Sequence, residues 1–344
     1  MPAILVTGGA GYIGSHVVKE LLHRNYTPIV FDNLQTGHRS APMDALLIEG
    51  DLSDQEKLKE TFQSHRIDTV IHLAADCSVG ESVQSPAKYF NNNVKNGLKL
   101  IEIMEEFNVE KFVFSSSAAV YGEPKTIPIG EDHPCLPTNP YGETKWIFEK
   151  VLQAFHDGGK LDFISLRYFN AAGADPGGKF GEDHSPETHL IPLVIKAALD
   201  GTSVPVFGTD YPTPDGTCIR DYIHVTDLAH AHLLALRKLD QGRISGIYNL
   251  GNGNGFSVKE VIETVKKVTG RKVVPVDSPR RPGDPARLVA SSRKIKEELG
   301  WIPNFPDLET IVETAWKWHR NHPKGYDDKD SGGFQGVQDS RGLV

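Results

Sequence analysis

Three glycines constrain this chain more than any other feature. Gly8, Gly11 and Gly14 lie between a short apolar run, Ala3 to Thr7, and an amphipathic stretch, Ser15 to Arg24, in which Val17, Val18, Leu21 and Leu22 share one face. A strand that enters a helix through several residues lacking a Cβ can turn sharply and lets another group approach the backbone closely. The first N–H groups of such a helix face outward with the positive end of the helix dipole behind them, which suits a pyrophosphate. The spacing is GxxGxxG, not the GxGxxG of the commonest dinucleotide fingerprint, so the turn alone is weak evidence and its surroundings must decide.

The surroundings repeat the same rhythm. Pro28 to Asp32, Leu46 to Glu49, Thr69 to Ala74, Lys111 to Ser115 and Phe163 to Tyr168 read as strands; Asp54 to His65, Pro86 to Phe107 and Pro140 to His156 read as helical. The strands are continuously apolar instead of alternating, the pattern of parallel strands covered on both faces. This predicts an α/β fold of Rossmann type, a doubly wound parallel sheet, over residues 1–170. From Ala171 to His189 the chain is rich in Gly, Pro, Asp and His and reads as loop. Beyond it, helices at Leu190 to Asp200, Thr226 to Leu239, Ser257 to Thr269, Ser291 to Leu299 and Leu308 to Arg320 alternate with strands at Val204 to Phe207, Ile247 to Leu250 and Lys272 to Val276. These predict a smaller mixed α/β C-terminal lobe over 171–326, with the chain free to cross back between lobes. Residues 327–344 are polar and Gly-rich and read as a flexible tail.

Composition narrows the partners. With 37 Lys and Arg against 45 Asp and Glu, the net charge is −8, and a nucleic-acid partner has no electrostatic support. The first residues lack a basic segment followed by a long apolar run, and no stretch approaches the length of a membrane span, so a cytoplasmic protein without a membrane partner is expected. Cys77, Cys135 and Cys218 are far apart and form no CxxC pair, which argues against a disulfide framework or a zinc knuckle. His230 and His232, two apart on a predicted helix, face different sides; His72 lies in an apolar strand. No metal is expected.

Two further patterns bear on chemistry. Asp32 ends the second strand, eighteen residues after Gly14, where a carboxylate accepts hydrogen bonds from an adenosine ribose and repels a 2′-phosphate. That favours NAD over NADP; Asp51, after the third strand, is placed to meet adenine or else to cap a turn. Tyr141 and Lys145 form a YxxxK that opens a helix after Asn139-Pro140. One helical turn apart, the ammonium can hold charge near the phenol, whose ordinary pKa near 10 makes it a poor base at neutral pH. Ser115-Ser116-Ser117 ends a parallel strand, where ligands of open α/β sheets bind, and a hydroxyl there can relay a proton. Ser116 reads as a turn residue or cap.

At this point the chain resembles the UDP-sugar 4-epimerase branch of the extended short-chain dehydrogenase/reductase family. The matching stretches are Val6 to His16, Val79 to Val83, Asn92 to Val94, Ser115 to Gly122, Tyr141 to Lys145, Arg167 to Asn170, Arg220 to Val225, Tyr248 to Gly251 and Arg280 to Asp284. The resemblance implies an isomerase that interconverts UDP-glucose and UDP-galactose. The sugar is oxidised at C4 with NAD as cofactor, the 4-keto sugar rotates, and hydride returns to its other face. It implies Tyr141, Lys145 and Ser117 as catalytic residues. Gly8, Gly11, Tyr12, Ile13, Gly14, Asp32, Asn33, Thr36, Gly37, Asp51 and Leu52 would hold the adenosine half and pyrophosphate. Leu73, Ala74, Ala75, Asn92, Ser115, Lys145 and Tyr168 would flank the nicotinamide half, with Tyr141 also meeting the cofactor.

For the UDP-sugar the resemblance implies Asn170, Leu190, Phe207, Arg220, Arg281 and Asp284, besides Ser117 and Tyr141. Permanently charged arginines suit a diphosphate. Leu288 would gate the sugar pocket, where a bulky tyrosine in relatives excludes 2-acetamido sugars, so N-acetylated substrates are expected to fit. Cys77 stands where some members carry a lysine near the nicotinamide. A homodimer through the helices Pro86–Phe107 and Pro140–His156 is implied as well. Rival readings are a UDP-glucuronate or UDP-pentose 4-epimerase, a nucleotide-sugar 4,6-dehydratase and a non-catalytic nucleotide-binding protein. A dehydratase needs an additional acid and base after the strand-end serines, where this chain has Ala118 and Ala119.

Overall fold

In this computed structural model residues 3–281 and 283–327 are described, so the expected tail, apart from its first residue Asp327, lies outside the described residues. The first half alternates as its apolar rhythm requires. β1 (Ala3–Thr7), α1 (Tyr12–His23), β2 (Thr27–Asp32), β3 (Leu46–Glu49), α2 (Gln55–Ser64) and β4 (Ile67–His72) lead to a short α3 (Val79–Gln84). A helical run then comprises α4 (Pro86–Tyr89), a π-helical stretch Phe90–Asn96 and α5 (Gly97–Glu106). β5 (Lys111–Ser117), a 3₁₀ turn Ala118–Tyr121, α6 (Pro140–Asp157) and β6 (Asp162–Tyr168) follow. Side chains supply the helix starts: Asp54 accepts from Lys57 N at 3.1 Å, and Asn139 from Gly142 N at 2.9 Å with Pro140 behind it.

The long helix expected within Pro86 to Phe107 is thus interrupted by a π stretch. The Asn91-Asn92-Asn93 run explains it. The Asn93 amide donates to Asp76 O at 2.9 Å and to Thr144 Oγ1 at 3.1 Å, and accepts from Asp76 N at 2.9 Å. Widening the turn there keeps these side chains aimed at the end of β4.

The second half contributes β7 (Asn170–Ala172), α7 (Leu190–Asp200), β8 (Ser203–Phe207), β9 (Ile219–Arg220), β10 (Tyr222–His224), α8 (Val225–Leu239), β11 (Ser245–Leu250) and β12 (Phe256–Ser257). Then come α9 (Val258–Thr269), β13 (Val274–Ser278), β14 (Arg287–Leu288), α10 (Arg293–Leu299) and α11 (Leu308–Asn321). Seven parallel strands form one sheet in the order β11-β6-β5-β4-β1-β2-β3. Because β1 lies between β2 and β4, the order reverses there, and a crevice opens at the carboxyl ends of β1 and β4.

Alternate residues feed two cores. Ile4 and Val6 join Val17, Val18, Leu21 and the α8 residues Leu228, Leu233 and Leu236 on one face. Leu5 joins Phe31, Leu58, Leu100, Phe112, Phe114 and Phe148 on the other. A continuously apolar strand therefore has a partner on both sides. The chain crosses back for α8 and β11: Ile247 to Leu250, expected in the smaller lobe, pairs with β6 in the large sheet, and α8 packs against α1. Periodicity reports an element but not its neighbour, so this return was open from sequence. A third core joins α7, α9 and α11 through Val194, Ile195, Val261, Ile262, Ile311 and Val312. No described helix is long and apolar enough to cross a membrane.

Candidate active site

The glycine turn is built so that it cannot carry side chains. Gly8 has φ +73°, and a Cβ there would lie 2.6 Å from Ala74 N; one on Gly14 would lie 2.1 Å from Gly8 O. The turn can therefore press against Leu73 and Ala74, whose N–H groups both donate to Thr7 O, at 2.9 and 3.0 Å. Gly11 caps α1 with no side-chain hydrogen bond, so the helix start keeps donors for an anion. The Asp32 carboxylate, 8% exposed, accepts from Ala10 N at 3.0 Å and Leu34 N at 2.9 Å, which orients it beside the turn. Gly37 brings the following loop, with exposed Thr36, onto Ala10: a Cβ on Gly37 would lie 3.0 Å from Ala10 C. Backbone donors, a bare helix start and a held carboxylate at the switch point fit a dinucleotide.

Several expected cofactor residues have other partners. Asp51 accepts from Ser53 N at 2.9 Å and Ser53 Oγ at 2.6 Å, the turn-capping alternative, and from Asn33 Nδ2 at 2.7 Å. Leu52 is buried in the core cluster of Phe31 and Leu58. Ile13 packs, half-buried, against the α1 core. Tyr12 Oη donates to Gly173 O at 2.7 Å, tying the helix start to the loop after β7. Ala75 is half-buried, Cys77 is exposed, and Asn92 Nδ2 donates to Asp76 Oδ2 at 3.0 Å.

At the carboxyl ends of β5 and β6 the catalytic candidates meet. Lys145 is 3% exposed; its Nζ donates to Ser115 O at 2.7 Å and lies 5.8 Å from the Tyr141 ring centroid. Ser115 Oγ and Tyr168 Oη are hydrogen-bonded. Ser117 Oγ accepts from Ala119 N at 3.1 Å. Burial is the largest influence on Tyr141 and raises its phenol well above the ordinary value; the Ser117 hydroxyl pulls the other way. Burial also pushes the Lys145 amine down, to about 8. Desolvation, the largest influence, leaves the phenol of the chain by itself protonated near neutral pH.

The sequence reading missed what sits behind these groups. Ser116, read as a turn residue or cap, is fully buried and donates to Glu149 Oε1 at 2.6 Å. Glu149 pairs with Arg167, whose Nε lies 2.9 Å from Oε1 and whose Nη1 donates to Tyr121 Oη at 2.9 Å. Tyr121 Oη in turn donates to Asn249 Oδ1 at 2.7 Å. The available signal was Glu149, one turn beyond Lys145 on the same face of α6.

The expected sugar-nucleotide residues divide. Arg220 and Leu288 are register partners of β9 and β14. Arg220 forms an ion pair with Asp284, and the Arg281 guanidinium stacks 4.0 Å from the Phe207 ring centroid. Arg220 thus meets a carboxylate as well as any phosphate. Asn170 Nδ2 donates to Asp221 O at 3.3 Å, and Leu190 opens α7.

Comparison with known proteins agrees with this geometry. Residues 4–251 match the model of the NAD dependent epimerase/dehydratase family. A UDP-glucose 4-epimerase of Halalkalibacterium halodurans is 56% identical over 94% of this chain and 97% of its own length. A crystal structure of a UDP-glucose 4-epimerase superposes with a TM-score of 0.92 at 52% identity, covering 94% of this chain and 99% of the other. The Bifidobacterium longum enzyme, solved with NAD+ and UDP, gives 0.90 at 39% identity, covering 94% and 100%. Glycine turn, parallel sheet, serine strand-end and YxxxK thus occur in one continuous match, and the chain belongs to the NAD dependent epimerase/dehydratase family.

Proposed function

We propose that this chain is an isomerase that interconverts UDP-glucose and UDP-galactose, inverting the hydroxyl at C4 of the sugar. The observation that carries the reading is the convergence of Tyr141, Lys145 and Ser117 at the ends of β5 and α6, on a sheet whose switch point holds the glycine turn. Bound NAD supplies reversible hydride acceptance. The glycine turn, the α1 start and Asp32 would hold its adenosine half and pyrophosphate; Ser115, Lys145 and Tyr168 would flank its nicotinamide.

The chain's own residues do the proton work. Tyr141 takes the proton of the 4′-hydroxyl and returns it, with Ser117 as relay. Working near neutral pH requires the phenol to fall at least three units below its ordinary value, about 4 kcal/mol of differential interaction, and to recover in addition what burial adds. Lys145, at about 8, keeps its charge in most molecules at pH 7 and contributes part. An oxidised nicotinamide held beside it would add a second positive charge in a water-poor site. Ala118 and Ala119 in the turn after β5 carry no acid or base for an elimination, which disfavours a dehydratase.

Half-buried Leu288 leaves the side of the pocket at Arg220 without a bulky ring, and this supports acceptance of UDP-N-acetylhexosamines as well. Exposed Phe90 and half-buried Ile147 support the two-helix surface as a homodimer contact. The test is incubation with UDP-galactose without added NAD. UDP-glucose is expected, and Tyr141→Phe is expected to lower kcat by about 10²–10⁴ while NAD stays bound. A 4-keto-6-deoxy product, or no conversion even with NAD supplied, overturns the proposal.

A further inference from the structure

The loop between β7 and α7 gathers four side chains that the site above does not use. One ligand atom from each of Glu182, His184, Glu187 and His189 lies within 4.8 Å of the others. The two carboxylate side chains are only 3% and 4% exposed, whereas His184 is 24% and His189 51% exposed. Both Nδ1 atoms converge on the same oxygen: His184 Nδ1 is 3.1 Å from Glu182 Oε1, and His189 Nδ1 pairs with it too. Glu187 Oε1 lies 4.0 Å from His184 Nδ1 and 3.8 Å from His189 Nδ1. Its second oxygen, Oε2, is buried and has no hydrogen-bond partner, the nearest cation being Lys196 Nζ at 4.0 Å.

Two carboxylates this close repel one another, and burial denies them water. The imidazoles answer Glu182 Oε1, the Thr188 and His189 N–H groups donate to Glu187 Oε1 at 2.8 and 3.0 Å, and Glu187 Oε2 is left unanswered. When both imidazoles bind as neutral donors, the two carboxylates carry the charge that a divalent cation cancels. Mixed nitrogen and oxygen donors favour zinc over calcium or magnesium, which prefer all-oxygen shells. A tetrahedral zinc with bonds of about 2.1 Å sets its ligand atoms roughly 3.4 Å apart, inside the 4.8 Å that bounds this set. Four protein ligands leave no open position, so such a site is structural. All four come from one short loop beside Tyr12, whose ring lies 6.3 Å from that of His184, and the residue after His189 is Leu190, the first of α7.

We propose that Glu182, His184, Glu187 and His189 form a zinc-type divalent-cation site that pins this loop between the glycine turn and the first turn of α7. Contrary to the expectation of no metal drawn from sequence spacing, the chain would then carry a structural cation in E-x-H-x-x-E-x-H. The test uses the full-length protein, stripped with a chelator and equilibrated with Zn²⁺, with Mg²⁺ and Ca²⁺ as parallel arms. About one zinc per chain is expected to survive dialysis, with a rise in Tm that Mg²⁺ and Ca²⁺ do not give. Cobalt substitution is expected to show the intense visible d–d bands of a tetrahedral site. Glu187→Gln keeps the shape and removes the charge, and His184→Ala removes a half-exposed ligand; each is expected to weaken zinc binding by about tenfold or more. The inference is overturned if zinc stays below about a tenth per chain at tens of micromolar, or if both variants bind it as the parent does. Equal stabilisation by all three ions, or an octahedral cobalt spectrum, overturns it as well.

Discussion

Replacing Arg167 with Met would strand a carboxylate behind the active site. Glu149 and Arg167 are each 3% exposed, and Glu149 loses the Nε contacts at 2.9 and 3.2 Å together with the Nη2 ion pair. Ser116 Oγ, at 2.6 Å, remains as a donor to Oε1. At about 3 Å and an effective dielectric constant near 20, the lost attraction is about 5 kcal/mol, an upper bound before the chain relaxes or the acid takes up a proton. Breaking one side of a buried pair typically costs about 3–5 kcal/mol, a large share of the roughly 5–15 kcal/mol that holds a protein folded. The measurement is urea unfolding followed through tryptophan fluorescence, since Trp301 and Trp318 are buried. Arg167→Met and Glu149→Gln should each cost about 3 kcal/mol or more, and the double variant clearly less than their sum, because it removes both charges together. Since α6 also carries Tyr141 and Lys145, the folded Arg167→Met protein should lose kcat while keeping its NAD. A cost below about 1 kcal/mol for Arg167→Met, or costs additive within about 0.5 kcal/mol, would refute the reasoning.

Other perturbations test other layers. Gly14→Ala places a Cβ 2.1 Å from Gly8 O and 2.7 Å from Gly9 Cα, backbone atoms that cannot swing aside; a loss of about 1–3 kcal/mol and of coenzyme retention is expected, and an NAD-replete, equally stable variant would contradict it. Leu288→Tyr should cut turnover of UDP-N-acetylglucosamine by about tenfold or more relative to UDP-galactose, and an unchanged ratio would remove Leu288 from substrate selection. Burial lowers His72 and His224 to about 3, and His16 and His232 to about 4, from an unfolded value near 6.5. With folded values depressed, the unfolded chain binds more protons below pH 6.5, so their stabilisation is complete above that pH and is lost as pH falls toward 4. Each contributes a slope of up to about 1.4 kcal/mol per pH unit. In the metal-free chain His189, raised to about 9 chiefly by Glu182, acts with the opposite sign between pH 6.5 and 9 and adds no slope below 6.5. Unfolding free energy that stays flat from pH 6.5 to 5 would show that these rings are not held neutral.

Local rules made much of this legible from sequence. The glycine turn, the doubly apolar strands, the acid at the end of β2 and the YxxxK after Asn139-Pro140 each depend on neighbours within a few residues, where periodicity and capping chemistry operate. What escaped depends on residues far apart in the chain. Ser116 looked like a turn residue because Glu149 and Arg167, which bury it, lie 33 and 51 positions away. The widened turn at Phe90–Asn96 follows from Asn93 reaching Asp76 and Thr144, which no helical period reports.

By itself, then, the order of residues determined the parallel α/β framework, the dinucleotide turn and the identity of the phenol and amine at its mouth, since these follow from backbone geometry and short-range spacing. Only the tertiary structure decided how their charges stand. Burial raises the Tyr141 phenol and lowers the Lys145 amine, Asp284 meets Arg220, and two buried glutamates are brought beside two histidines. The reason is that a charge's free energy depends on the water it has lost and the partner it has gained, and both are settled by packing between distant segments.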